Sequence, residues 1–250
     1  MEIANVTTDH IVYIAGGRLG DFFSQLSVIK ENYIKYNKKG VLYVSDIKSG
    51  FVNPDTIGKL ETVYAQTYDI IKSQDYIYDY KLYNGEHYNI DLSSWRGNPL
   101  LFRTNFGEIY RSEYNIDWGK HKWIDIPCDN KWKNTVLITT VPYRFKSYLN
   151  YNEYMLKYPQ FKFIFISIDR NDYDFFISQT NQTNVDYYCP TNLFDTAVAI
   201  NSCEFFMGTT SGLLCIAYSM HKKSITVDSA SHVDNLLHSN MHFLNTSYTY

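Results

Sequence analysis

Residues 204–218 read Glu-Phe-Phe-Met-Gly-Thr-Thr-Ser-Gly-Leu-Leu-Cys-Ile-Ala-Tyr, and the small residues in the middle are the chain's best candidates for chemistry. They separate a short apolar strand from an apolar helix, and so let a ligand come close to the backbone. The first turn of a helix leaves several N–H groups unpaired at the positive end of its dipole. Thr209, Thr210, Ser211 and Gly212 in that position form an anion site, and phosphate is its usual guest. The same residues can also serve only as a helix cap.

Two other stretches carry reactive or charged groups. Thr139-Thr-Val-Pro-Tyr-Arg-Phe-Lys146 leaves an apolar run with Arg144 and Lys146 one residue apart. A guanidinium and an ammonium beside a helix N-terminus clamp a diphosphate well, although both also suit a solvated loop. Asp21 follows the glycine turn Gly16-Gly-Arg-Leu-Gly20. At a helix start it is either a dipole-stabilised cap or, beyond a strand's C-terminal end, a well-placed general base. The turn is not G-x-G-x-x-G, and a nicotinamide cofactor would need Asp46 as the ribose-binding acid. Asp172-Tyr-Asp174 matches the D-x-D pattern of metal-dependent sugar transferases, but acids there also favour a helix start. The seven histidines show no ligand spacing, so no metal is expected. No G-x-S-x-G supports a serine hydrolase.

The elements that position these groups follow from periodicity. Residues 10–15 are a continuous apolar run, as in a central parallel strand. A helix is expected over 21–36, with Phe22, Leu26, Ile29 and Tyr33 at three- and four-residue spacing, and a strand over 40–45. Strand, turn, helix and strand make a βαβ unit. Between 47 and 130 the pattern weakens: a helix over 54–65, a strand or short helix over 69–73, strand or irregular chain over 76–92, and loops with short helices over 95–123. The aromatic residues there suit either sugar stacking or core. A linker is expected at 127–134. A second α/β pattern follows, with strands at 135–140, 161–167, 185–188, 204–207 and 224–227. Its helices are expected at 151–157, 171–180, 193–201 and 211–220, with another beginning at 233–237. The domains expected are 1–130 and 131–250. Ligands in such sheets sit beyond the strands' C-terminal ends.

Composition narrows the function classes. A net charge of −3 argues against a nucleic-acid partner. No apolar run reaches about 18 residues, so no membrane-spanning helix is expected. The first residues are neither basic nor followed by a secretory apolar core, which points to the cytoplasm. The four cysteines make no CxxC pair and are expected to be buried free thiols in a reducing compartment.

Three pieces then fall in a familiar order: Gly17-Arg-Leu-Gly-Asp-Phe-Phe-Ser-Gln-Leu26, Thr139-Thr-Val-Pro-Tyr-Arg-Phe-Lys146 and Met207-Gly-Thr-Thr-Ser-Gly-Leu-Leu-Cys-Ile-Ala217. Together they resemble the GT-B glycosyltransferases of the heptosyltransferase-like kind, family 9. The resemblance implies an α/β fold of two Rossmann-like halves facing a cleft. It implies an inverting, metal-independent sugar transfer from a nucleotide-diphosphate sugar to an acceptor hydroxyl. Asp21 would be the general base, and Gly17, Arg18, Gly20 and Gln25 would form the acceptor-side turn. Arg144, Lys146, Thr209, Thr210, Ser211 and Gly212 would bind the donor diphosphate. No cofactor is implied, and the partners are the nucleotide sugar and the acceptor. The family's acid in the late turn is Thr210 here and its histidine is Cys215, which leaves the donor sugar open. The alternatives are another Rossmann-type nucleotide-cofactor enzyme and a non-catalytic nucleotide-sugar-binding protein.

Overall fold

The computed structural model describes residues 9–46, 60–101, 103–145, 151–209 and 211–226. They fall into two compact units that meet in sequence between Asp125 and Ile126.

In the first unit, β1 (His10–Ala15) leads into α1 (Leu19–Tyr36), β2 (Lys39–Val44) and α2 (Leu60–Lys72). β3 (Ile77–Leu82), β4 (Ile90–Asp91) and α3 (Phe106–Tyr114) follow. All pairings are parallel and the strand order is β3-β2-β1-β4. The second unit runs β5 (Thr135–Thr139), α4 (Tyr151–Lys157), β6 (Lys162–Ile166), α5 (Arg170–Thr180) and β7 (Val185–Tyr188). It continues with α6 (Leu193–Ser202), β8 (Phe205–Gly208), α7 (Gly212–Ser219) and β9 (Ser224–Thr226). Its strands are again parallel, in the order β7-β6-β5-β8-β9.

The sheet composition explains this arrangement. Every residue of β5 and β8 is buried, as expected for parallel strands covered on both faces. One face of the second sheet carries Val136, Ile138, Phe163, Phe165, Phe205 and Met207 against Tyr151, Tyr154 and Phe176. Asparagine does much of the local work. Asn37, Asn115 and Asn181 end α1, α3 and α5 in the left-handed region, where glycine is more usual. Asn105 and Asn192 accept from the Glu108 and Asp195 amides to start α3 and α6.

Several expectations change. Of the segment 69–73, expected as strand or short helix, residues 69–72 are the end of α2, whose Val63, Thr67, Ile70 and Ile71 are buried. The 127–134 stretch is not a free linker: it carries a 3-10 helix, Asn130–Trp132, whose Trp132 is buried edge-on against Tyr188 at 4.7 Å. Five aromatic residues of 95–123 form core. Trp95, Phe106, Tyr110, Trp118 and Trp123 are all buried. The Trp123 and Trp118 indoles donate to the Phe23 and Ser24 carbonyls on α1, at 2.8 and 3.2 Å. The cysteines are free, but Cys128 and Cys189 are exposed and only Cys203 is buried. Burial pushes the Cys203 thiol up to about 12, so it is not a nucleophile near neutral pH. The helix expected at 233–237 lies outside the described residues. Among the described residues no helix is long and apolar enough to cross a membrane.

Phe176 is fully buried and meets Tyr151 edge-on at 5.0 Å and Phe165 at 5.1 Å. Phe176→Ala is therefore expected to cost about 3–5 kcal/mol in urea-induced unfolding, because it removes a fully buried ring and leaves a cavity among its neighbours.

Candidate functional site

Each sheet reverses its strand order once, beside β1 in the first unit and beside β5 in the second. Loops leaving neighbouring strands part at such a point and open a crevice at the strands' C-terminal ends. In the second unit the loops are those after β5 and β8, whose last residues, Thr139 and Gly208, are paired in register. Gly208 has to be small here. A Cβ on it would lie 2.7 Å from the Phe206 ring and 3.1 Å from the Thr139 methyl.

The next residue on each strand is a buried threonine, Thr140 at 1% exposure and Thr209 at 0%. Neither hydroxyl has a hydrogen-bond partner among the described residues, and the buried Ser211 hydroxyl has none either. Ser211 stands at the N-cap of α7 in extended conformation, yet its side chain makes no capping bond. Among the described residues of this turn, the Thr209 and Ser211 hydroxyls do not cap the helix. A buried hydroxyl left unpaired costs about 1–3 kcal/mol, and each such group calls for an explanation. All three lie on the loops that leave β5 and β8 at the strand-order reversal, where Gly212 opens the helix. An anionic, multiply accepting ligand would satisfy all of them. Thr140 had no assigned role in the sequence, although the Thr139-Thr140 pair at a strand end was visible. Thr210 and Lys146 lie outside the described residues.

Arg144 closes the 3-10 helix Pro142–Arg144 after β5. The next residue, Phe145, is stacked on Tyr151 at 6.0 Å and edge-on to Phe175 at 5.4 Å, which pins this loop to the domain core. The D-x-D acids have separate partners. Asp172 accepts from the Ser167 hydroxyl at 2.8 Å, and Asp174 pairs with Arg170 at 3.0 Å. Burial holds the Asp172 carboxyl above its usual range despite that bond. No cluster of three His, Cys, Asp or Glu able to hold a metal exists among the described residues.

In the first unit the loops at the reversal are those after β1 and β4. Asp21 sits in the first turn of α1, where the dipole favours a carboxylate. Its Oδ2 accepts from the Arg96 guanidinium, which rides on a 3-10 helix, Ser94–Gly97, beyond β4. The pair spans the reversal point, with side chains 23% and 13% exposed. Gly17 makes the approach possible. Its φ is +115°, and a Cβ there would lie 2.8 Å from Arg96 Nη2 and 3.1 Å from Asp21 Cβ. Gln25 is fully buried and clamps the turn, donating to the Gly16 carbonyl at 2.9 Å and accepting from its amide at 3.4 Å. Gly20 supplies a carbonyl to the Ser24 hydroxyl at 2.9 Å. Arg18, the α1 N-cap residue, is exposed and makes no ion pair among the described residues. Arg96 was not foreseen, because it lies in a stretch without periodicity, 75 residues from its partner.

No family model and no curated protein matches the chain in sequence. Solved structures do match in fold. The glycosyl transferase family 9 protein from Veillonella parvula DSM 2008 aligns with a TM-score of 0.55 at 12% identity, over 87% of this chain and 81% of its own. The iron-containing dodecameric heptosyltransferase TibC, in complex with ADP-D-β-D-heptose, aligns with a TM-score of 0.60 at 12% identity. That alignment covers 94% of this chain and 63% of TibC. The E. coli ADP-heptose LPS heptosyltransferase II aligns with a TM-score of 0.54 at 12% identity, over 90% of this chain and 86% of its own. The chain thus has the α/β fold of these GT-B proteins, two parallel Rossmann-like sheets with alternating helices.

Thr140→Val and Thr209→Val each remove a buried, unpaired hydroxyl at nearly constant shape. Without ligand, each is expected to raise stability by about 1 kcal/mol in chemical denaturation. Gln25→Leu, in contrast, strands the Gly16 amide and carbonyl, and is expected to cost about 1–3 kcal/mol.

Proposed function

We propose that the chain is a glycosyltransferase that moves a sugar from a nucleoside-diphosphate sugar to an acceptor hydroxyl. The observation that carries this reading is the set of unpaired hydroxyls of Thr140, Thr209 and Ser211 at the strand-order reversal beside α7. A diphosphate offers acceptor oxygens to all three hydroxyls and to the free N–H groups of the helix end. The fold shared with TibC, whose structure holds ADP-D-β-D-heptose, supports a nucleotide-sugar ligand. In this reading residues 131–250 bind the donor and residues 1–130 present the acceptor.

The proposed chemistry is a single displacement. The acceptor O–H proton passes to Asp21 as the acceptor oxygen attacks the anomeric carbon. The bond between that carbon and the diphosphate breaks, and its electron pair leaves on the diphosphate oxygen. Attack from the opposite face inverts the anomeric configuration. Charge developing on the leaving diphosphate is stabilised by the α7 amides, Thr209, Thr210, Ser211 and Gly212, and by the cations Arg144 and Lys146. With those donors in place no metal is required. Free cysteines and a nucleotide-sugar substrate fit a cytoplasmic protein.

Thermal unfolding in the presence of nucleoside diphosphates and their sugars, with and without magnesium, tests this. A ligand at 100 times its Kd should add about 2.7 kcal/mol of stability. The expected result is a metal-independent shift with one nucleotide, reduced in Thr140→Val and Thr209→Val although their ligand-free stability is not. No shift with any nucleotide sugar, or a shift that both variants retain in full, would overturn the reading. Asp21→Asn is expected to reduce transfer to a small residual rate while leaving the nucleotide shift intact. Equal loss of both would remove Asp21 from the role of base.

A further inference from the structure

Asp21 and Arg96 reach each other across the reversal point by a construction with more parts than a surface ion pair needs. The 3-10 helix carrying Arg96 is fastened from behind by Tyr114 of α3. The Tyr114 hydroxyl accepts from the Trp95 amide and the Ser94 hydroxyl, both at 3.2 Å, and donates to the Asp91 carbonyl at 3.3 Å. Asn98 extends the attachment to α3 through Glu113 at 3.1 Å. The guanidinium carbon lies 4.7 Å from the centre of the buried Trp95 ring, so its plane has a fixed support. On the other side the left-handed Gly17 leaves the space a side chain would fill.

This scaffold fixes one carboxylate oxygen. Rotation about the last torsion of an aspartate is broad and nearly two-fold, so an unpinned carboxylate presents its oxygens in many directions. Arg96 takes Oδ2, and Oδ1 has no partner among the described residues. We propose that Arg96 is the positioning residue of Asp21, holding Oδ2 so that Oδ1 alone accepts the acceptor's proton, with Gly17 as the spacer that admits it. This rests on the transferase reading and names a residue that reading does not use. A merely structural staple between α1 and the turn after β4 would affect stability, but not turnover independently of it.

The test measures nucleoside diphosphate release from UDP-, ADP- and GDP-linked hexoses, with water and methyl glycosides as acceptors. It compares the wild-type chain, Asp21→Asn, Arg96→Met, Arg96→Lys and Gly17→Ala, each checked for folding by circular dichroism. Arg96→Met is expected to lower kcat about 10- to 100-fold, the scale of a misplaced reacting group, with KM for the nucleotide sugar unchanged. Arg96→Lys should restore part of the loss, since it keeps the charge but not the planar fork. Gly17→Ala, which keeps both charges but separates them, should fall with Arg96→Met. In the Asp21→Asn background, Arg96→Met should cause no further loss. Wild-type kcat in folded Arg96→Met, or an equal loss with and without Asp21, overturns the positioning role while leaving the transferase reading intact. A wild-type chain that turns over no nucleotide sugar overturns both.

Discussion

The reversal of strand order beside β1 and again beside β5 is the constraint on which the rest of this protein depends. In a parallel sheet every strand delivers its outgoing loop to the same edge. Only where successive connections turn to opposite sides do two neighbouring loops separate. That is where the two chemically distinctive clusters lie. In one unit Asp21 meets Arg96, and in the other three unpaired hydroxyls lie on the two loops beside the reversal. Neither cluster is assembled from adjacent sequence. Each joins the loop after the first strand of its sheet to the loop after the fourth.

The two clusters have opposite electrostatic character. The first joins opposite charges, a carboxylate held through Oδ2 by a guanidinium and favoured by a helix dipole. The second is unsatisfied, with buried oxygens that the described residues leave without partners. A fold tolerates the second only where its core is otherwise generous. Here the core is built from edge-on and tilted aromatic rings, such as Tyr151 and Phe165 about Phe176. Each large ring buries enough area to offset a local deficit of a few kcal/mol. Sites that bind ligands commonly carry such a deficit, since what completes them is absent from the free chain.

The likeness in fold to proteins only 12% identical has a simple basis. A parallel strand buried on both faces requires apolar side chains but not particular ones. Phe and Tyr can fill positions that aliphatic residues fill elsewhere, provided the helices adjust. The glycines are less replaceable. Gly17 and Gly208 each stand where a Cβ would collide with a named neighbour.

What the sequence determined by itself was whatever depends on local periodicity and local backbone chemistry. The apolar run of β1, the stripe of α1, and the alternation of strands and helices after residue 135 were all legible. So was the turn of small residues before α7. Each of these is written into the local run of residues that forms it. The region from 60 to 125 was less legible because its order is non-local: α2 extends to Lys72 only because one face meets the sheet, and Trp118 and Trp123 become core by donating to carbonyls on α1 about a hundred residues earlier. The site divides in the same way. Asp21 and the 208–212 turn were visible as residue types at helix starts. Tertiary structure alone decided that Arg96 faces Asp21, that Thr140 joins Thr209, and that Ser211 does not cap its helix. The reason is physical: sheet register and strand order set which loops become neighbours, and both are fixed by burial summed over the whole sheet.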